Sequence, residues 1–403
     1  MTKFFILLAV AIPAAAQSSI FSIQSSPNPT TQNTLNAVAA LSATDVWAVG
    51  YKNDNNLNDS RTLTMHFDGT SWKTVPSPNP GNTPQCQGNN TGNVISALAA
   101  VAPDDVWAVG LFFTCSTLLK PMTLHWNGTS WKVVPTPLLR TNDNSAFTSV
   151  VALATNNVYA VGYQPASNGA VLTLIEHWNG TVWSVVPSPN ANNTGNVLAA
   201  VTANSPTDIW AVGDKVAPGV PVETLVEHFD GTNWSVIPSP NVITTGSLSQ
   251  NVLTSVRAGS STDVTAAGFV LDSSQQRELT MIQHWDGTAW SIVPSPNQSS
   301  AAGSLNTLHS VTAISGTDLY AAGFFADAAT GGQQQTLIVH FDGSTWSIVP
   351  TPTRGLAQQL NGIFAIPGEP NVWSVGGFAV NGTDPETGLL IIPKTLVLFS
   401  PIG

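Results

Sequence analysis

Asp105-Val-Trp-Ala-Val-Gly110, followed after a short variable stretch by His125-Trp-Asn-Gly-Thr-Ser-Trp131, decides the fold of this 403-residue chain, because both halves recur along it. The first half returns as Asp45-Val-Trp-Ala-Val-Gly50, Asn157-Val-Tyr-Ala-Val-Gly162 and Asp208-Ile-Trp-Ala-Val-Gly213. Weaker copies start at Asp263, Asp318 and Asn371, which makes seven copies in all. The second half returns from His66, His177, His228, His284 and His340, each time running into an apolar stretch that ends in Pro-Ser/Thr-Pro. A period of about 54 residues is the mark of a repeat architecture, not of unrelated domains in series.

Each repeat reads as four strands. Strand a is a short apolar run such as 95–101, strand b the Asp-Val-Trp-Ala-Val-Gly segment, strand c Thr-Leu-x-x-His-Phe/Trp, and strand d Trp-x-Val-Val-Pro. Asp-Gly or Asn-Gly between c and d predicts a tight type I′ hairpin. The Asp before strand b is expected in the a–b turn, with its carboxylate on nearby backbone amides. No stretch sustains a helical period. Antiparallel four-stranded units repeated radially make a β-propeller; the expectation is an all-β, seven-bladed propeller. A parallel β-solenoid fits poorly, since the repeat is too long for one coil. The last copy lacks strand d, and Phe21-Ser-Ile-Gln-Ser-Ser-Pro-Asn28 aligns with Trp290-Ser-Ile-Val-Pro-Ser-Pro-Asn297. The N-terminal segment is therefore expected to supply the missing outer strand and close the ring. Pro76, Pro135, Pro187, Pro238, Pro294 and Pro350 end the outer strands, where proline removes ladder donors and protects an edge.

Composition narrows the setting. Lys3, the apolar run 4–12 and Ala14-Ala-Ala16 read as a signal peptide over 1–16 with cleavage before Gln17, leaving 17–403 as one exported propeller domain. No other run approaches the roughly 20 apolar residues of a membrane span, so membrane insertion is not expected. A net charge of −11 argues against nucleic acid, which selects a basic face. The two cysteines, Cys86 and Cys115, fall in the d–a and b–c connections of the second blade, on one face, and read as a disulfide in an oxidising compartment. A monomer is expected.

The strand order resembles kelch and galactose-oxidase-type propellers, and the Asp-Gly-Thr-x-Trp turn is similar to the Asp-box of sialidases. The kelch double glycine after strand b occurs only as Gly376-Gly377. Over nearly the whole mature chain the repeats resemble those of secreted bacterial proteins with tandem Asp-Val-Trp-Ala-Val-Gly and His-Trp-Asn-Gly-Thr-Ser-Trp motifs, a likeness that implies the fold and little about activity. Catalytic residues do not carry over. A copper site of the galactose-oxidase kind needs two tyrosines and two histidines on one face, yet of Tyr51, Tyr159, Tyr163 and Tyr320 two occupy the Trp position of strand b. A sialidase site needs three channel arginines, whereas Arg61, Arg140, Arg257, Arg277 and Arg354 lie mostly in variable loops.

The six repeated histidines, His66, His125, His177, His228, His284 and His340, sit one per blade, too far apart to share a metal ion, and are expected to hydrogen-bond structurally. No metal, cofactor or catalytic set is assigned. The b–c and d–a connections are long and variable and share one face, where recognition usually resides. Two sets of residues there are candidate ligand contacts. Tyr51, Tyr163, Phe269 and Phe324 follow the strand-b glycine and could stack on a sugar or a partner side chain. Asn36, Ser96, Thr148, Thr254, His309 and Asn361 occupy the second position of strand a, near the channel mouth, with Arg257 further along its own strand. The expectation is a non-catalytic recognition or scaffold module that binds an extracellular glycan or protein. The alternatives are a carbohydrate-active enzyme using loop carboxylates such as Asp214, Glu223 or Asp327, and a purely structural surface protein.

Overall fold

The computed structural model describes residues 20–53, 59–82, 91–113, 118–137, 144–244, 248–382 and 390–401. The leader proposed over 1–16, Cys86, Cys115 and Arg140 lie outside the described residues. Every regular element among the described residues is a β-strand.

The first unit shows the pattern. Gln32–Ser42, Asp45–Asn53, Ser60–Phe67 and Trp72–Val75 pair antiparallel in chain order. Sheets of the same order begin at Gly92, Gln250 and Leu305. A further four-stranded sheet holds Gln358–Ala365, Asn371–Gly382 and Leu390–Pro401, with Ser22–Ile23 on its outer edge. The remaining sheet has eight strands. It consists of two such units, beginning at Ala146 and Gly195, joined by one parallel pairing of Val171 with Gly195. Isolated parallel bridges Asp59–Thr91 and Val222–Gln250 mark the same contact at two other seams. The start of each strand c thus lies beside the start of the next strand a, so the b–c and d–a connections meet on one side.

The strand-b glycine has a steric cause. The first strand of every unit carries one extra residue opposite it, a β-bulge at Asn36, Ser96, Thr148, Ala199, Thr254, His309 and Asn361. The distortion pushes a carbonyl across the ladder: a Cβ on Gly50 would lie 2.1 Å from Thr34 O, and one on Gly323 1.9 Å from Thr307 O. Only glycine fits there.

The c–d connection differs from the expected hairpin. Phe67 pairs with Trp72, which leaves a four-residue loop. Gly69 has φ +87°, but Asp68 is not in the left-handed region, so the turn is not type I′. The reason is the side chain: Asp68 Oδ1 accepts the amides of Thr70 and Ser71, both at 3.0 Å, and Asn127, Asn179, Asp230, Asp286 and Asp342 do the same. The amide-capping role foreseen for Asp45 and its equivalents belongs to these residues. Asp45 instead reaches across to strand c.

Pairing of the N-terminal segment with the last sheet follows the anticipated register. Ser22 pairs with Phe399 and Ile23 with Leu398, as Ser291 pairs with His284 and Ile292 with Gln283. The following residues repeat the lock of the other units. Thr280 Oγ1 lies 2.8 Å from Ser295 Oγ while Asn297 Oδ1 accepts the Thr280 amide at 2.7 Å; Thr395 makes the same two bonds, both at 2.8 Å, with Ser26 and Asn28.

The core lies between units. Trp47 packs on Trp126 and Trp131 of the next unit at 5.0 and 5.4 Å between ring centroids. Trp107 and Trp210 repeat this at their own seams. Trp373 of the final sheet packs on Phe67 and Trp72 of the first at 5.1 and 5.4 Å. Phe21 takes the strand-d Trp place against Tyr320. Neighbour contacts run from each first strand to the next and from Gln358–Ala365 back to Gln32–Ser42.

Candidate functional site

The first strands of all seven repeats line one cavity of about 440 Å³. It gathers all seven of the anticipated strand-a contacts, Asn36, Ser96, Thr148, Thr254, His309, Asn361 and Arg257. The bulge explains the gathering, because an extra residue in one strand re-aims its own side chain.

Most of these polar groups are already engaged in joining the strands. Asn36 Nδ2 donates to Ile95 O at 2.7 Å and Asn361 Nδ2 to Leu35 O at 2.8 Å. Thr148 Oγ1 donates to Leu198 O at 2.7 Å, and Thr254 Oγ1 to Leu308 O at 2.6 Å. His309 Nδ1 bonds Leu360 O at 2.9 Å. Each bond crosses to the carbonyl just before the neighbouring bulge, a clasp between strands that share no ladder. Ala199 has no group to offer and Ser96 makes no such bond among the described residues, so the clasp joins neither the fourth unit to the fifth nor the second to the third.

His309 keeps chemistry to spare. A carbonyl can only accept, so Nδ1 carries the proton and Nε2 is left as an acceptor on the cavity. Burial pushes the pKa of this imidazole down, against smaller opposing effects of the Leu360 carbonyl and Glu278, and holds it neutral. Arg257 pairs with Asp263 Oδ2 at 3.1 Å, and the other oxygen of that carboxylate bonds His284 Nε2 at 3.0 Å.

The four aromatics are not brought into the cavity. Tyr51, Tyr163 and Phe269 are half-buried, and burial raises the pKa of the Tyr163 phenol. Phe324 is buried and touches His309 at 5.5 Å between centroids. The three loop carboxylates also stay apart from it. Asp214 holds the ring position of Tyr51 in the fourth unit and burial lifts its pKa to about 6. Glu223 pairs with Lys215 at 3.2 Å, and Asp327 accepts the amide of Thr330 at 2.9 Å within its own turn.

The repeated histidines find their partners within each unit. His66 Nε2 bonds Asp45 Oδ1 at 2.8 Å, and His125, His228, His284 and His340 bond Asp105, Asp208, Asp263 and Asp318 at 2.8 to 3.0 Å. His177 bonds Asn157 at 2.9 Å. Most of these rings lie on the strand-b aromatic; for Trp107 and His125 the centroids are 4.4 Å apart.

Sequence reasoning missed a row of buried polar groups on strand c. Glu176, Glu227 and Gln283 are fully buried where the first two units carry Met65 and Leu124. Burial lifts both glutamates to a pKa of about 8, which keeps them protonated near neutrality. Glu227 accepts Ser188 Oγ at 2.8 Å, and Gln283 Nε2 donates to Pro240 O at 2.8 Å. Neither Glu176 oxygen has a hydrogen-bond partner. The signal was available, as an interruption of the apolar residue that precedes each histidine.

No family model and no curated protein matches the chain. Solved structures do. "YCF48 bound to D1 peptide" is similar with a TM-score of 0.52 and 14% identity, covering 97% of this chain and 99% of that one. Raptor from Chaetomium thermophilum gives 0.49 and 10%, over 96% of this chain and 29% of that one. A thermostable family-43 glycoside hydrolase gives 0.41 and 9%, over 66% and 96%. At these identities the first likeness is one of fold, and with the four-stranded antiparallel sheets it fits a β-propeller.

Proposed function

We propose that the chain is an exported, monomeric, seven-bladed β-propeller that holds an extended segment of a protein partner over its central cavity, without catalysis. The blade count rests on seven first strands in cyclic contact around one cavity, with the N-terminal strand completing the last blade. The export reading rests on the leader-like residues 1–16. The observation that carries the binding reading is the cavity itself. It presents a neutral imidazole acceptor at His309 amid side-chain amides and hydroxyls, which suits the amide groups of an extended peptide better than a charged or apolar ligand. The similar structure that holds a peptide agrees with this. Asp214 and Glu223 belong to consecutive cross-strand pairs and so point to opposite faces of one sheet, and Asp327 bonds within its own turn, which does not favour the carboxylate pair across a cleft that glycoside hydrolysis uses.

The test is to probe residues 17–403 with a peptide array and a glycan array side by side, checking bound sugars for cleavage. Specific peptide binding is expected, weakened about tenfold by His309→Leu, the scale of one lost hydrogen bond, measured below the melting temperature of the variant, which falls because the clasp to Leu360 O is lost as well. Binding to glycans alone would overturn the peptide reading, and product formation would overturn the absence of catalysis.

A further inference from the structure

Lys52 and Arg61 are direct cross-strand partners in the first unit, so their side chains share one face of the sheet with like charges opposed. Such a pair destabilises a sheet unless something neutralises it. Arg61 has Asp59 at 3.1 Å, but that carboxylate is also engaged by Asn82 at 3.1 Å and Thr91 at 2.9 Å. Lys52 is half-buried and has no ion-pair partner among the described residues. Among the described residues this pair keeps one net positive charge, in a protein with only 12 Lys and Arg against 23 Asp and Glu.

The fourth unit shows the same position solved. There the equivalent cross-strand pair is Lys215 and Glu223, in contact at 3.2 Å. In the first unit Arg61 stands at the register position of Glu223, and Lys52 and Arg61 line a cavity of about 340 Å³, walled by Pro29 and Thr30 of the N-terminal segment and by Ser77 and Asn79, with no carboxylate in that lining among the described residues.

We propose that this cavity binds a singly charged oxyanion, a sulfate ester or carboxylate group, whose charge answers Lys52 and Arg61 as Glu223 answers Lys215 in the fourth unit. Lys52 supplies a compact point charge and the Arg61 guanidinium a planar fork of donors, a pairing suited to oxygen anions. The site lies at the seam between the first unit and the N-terminal segment, apart from the central cavity, and stands or falls independently of the peptide reading.

The experiment uses residues 17–403 with ¹⁵N-lysine, titrated with methyl sulfate at constant ionic strength, together with binding to immobilised dextran sulfate. The Lys52 amide is expected to shift saturably while that of Lys215 stays put. Lys52→Glu restores an opposite-charge pair with Arg61, so it is expected to fold with a melting temperature at or above that of the parent. It is expected to weaken dextran sulfate binding by about tenfold or more, the order measured for lost charge pairs, as does Arg61→Gln; Lys215→Gln leaves binding unchanged. Saturation by methyl sulfate without retention on the polymer identifies a free ion as the source, and tighter retention identifies a group displayed on a polymer; both support the site. A Lys52 shift that never saturates, or equal binding by the parent and a folded Lys52→Glu, overturns it.

Discussion

In the first two units the residue before the strand-c histidine is Met65 or Leu124, and the next strand-b aromatic is Trp47 or Trp107. In the third to fifth units the first of these positions is Glu176, Glu227 and Gln283, and in the fifth the aromatic is replaced by Thr265. All the strand-c residues are buried to the same degree. Burial here is thus a property of strand register, since alternate side chains face the seam whatever their chemistry. The polar residues are carried by a framework whose stability comes from elsewhere. Where Thr265 leaves the aromatic place open, Trp346 of the next unit is only half-buried, whereas its equivalents Trp131 and Trp183 are buried.

The sharpest way to break the contrast is Trp47→Ala. It removes a buried ring seated on two others, with an expected loss of about 3–5 kcal/mol. Thr265→Ala, at the same position of the fifth unit, is expected to cost less than about 1 kcal/mol, because no ring stack is lost. Denaturant unfolding of the two variants checks the difference, and equal losses would show that the aromatic seams do not govern stability.

Next in size is Glu176→Met, which copies the first unit and removes a buried carboxyl without a partner. A gain of about 1–3 kcal/mol is expected at pH 8, and a smaller one at pH 5. The sign follows from the protons. In the unfolded chain these carboxyls release them near 4.5, whereas in the fold they keep them up to about 8. Between those values the folded state binds more protons, so stability is complete below 4.5 and falls as pH rises towards 8. Melting temperatures from pH 5 to 8 should decline in the parent and decline less in Glu176→Met with Glu227→Gln. An equal slope in both would remove the glutamates as its cause.

The smallest effect is expected from Asp45→Asn, under about 1 kcal/mol, because Asn157 already bonds His177 at 2.9 Å in the third unit. A larger loss at neutral pH would mean that charge, not the hydrogen bond alone, holds the strand-b to strand-c contact.

Much of the fold was legible in the sequence because each repeat solves a local problem. The a, b, c and d strands, the N-terminal replacement strand and its register with 398–399 all follow from alternation and alignment. The turn chemistry was half legible. The Asp-Gly pair marked the c–d reversal, but that Asp68 caps amides while Asp45 reaches His66 is a matter of which groups come within about 3 Å. Of the site, the ring of strand-a residues from Asn36 to Asn361 was readable as a channel lining. The use of five of them as clasps was not, because Asn36, Thr148, Thr254, His309 and Asn361 each bond a carbonyl 50 or more residues away, in the neighbouring unit.

The sequence by itself determined that this chain is a β-repeat with a fixed residue at each structural position, since strand period, turn residues and glycine are local requirements met within one repeat. Only the tertiary structure decided what the departures from the repeat do. Lys52 facing Arg61 beside a cavity, Lys215 facing Glu223, and Glu176 sealed without a partner differ in their surroundings more than in their spacing. A side chain's charge state and partners depend on what distant segments place around it, and that is set by how the units close on one another.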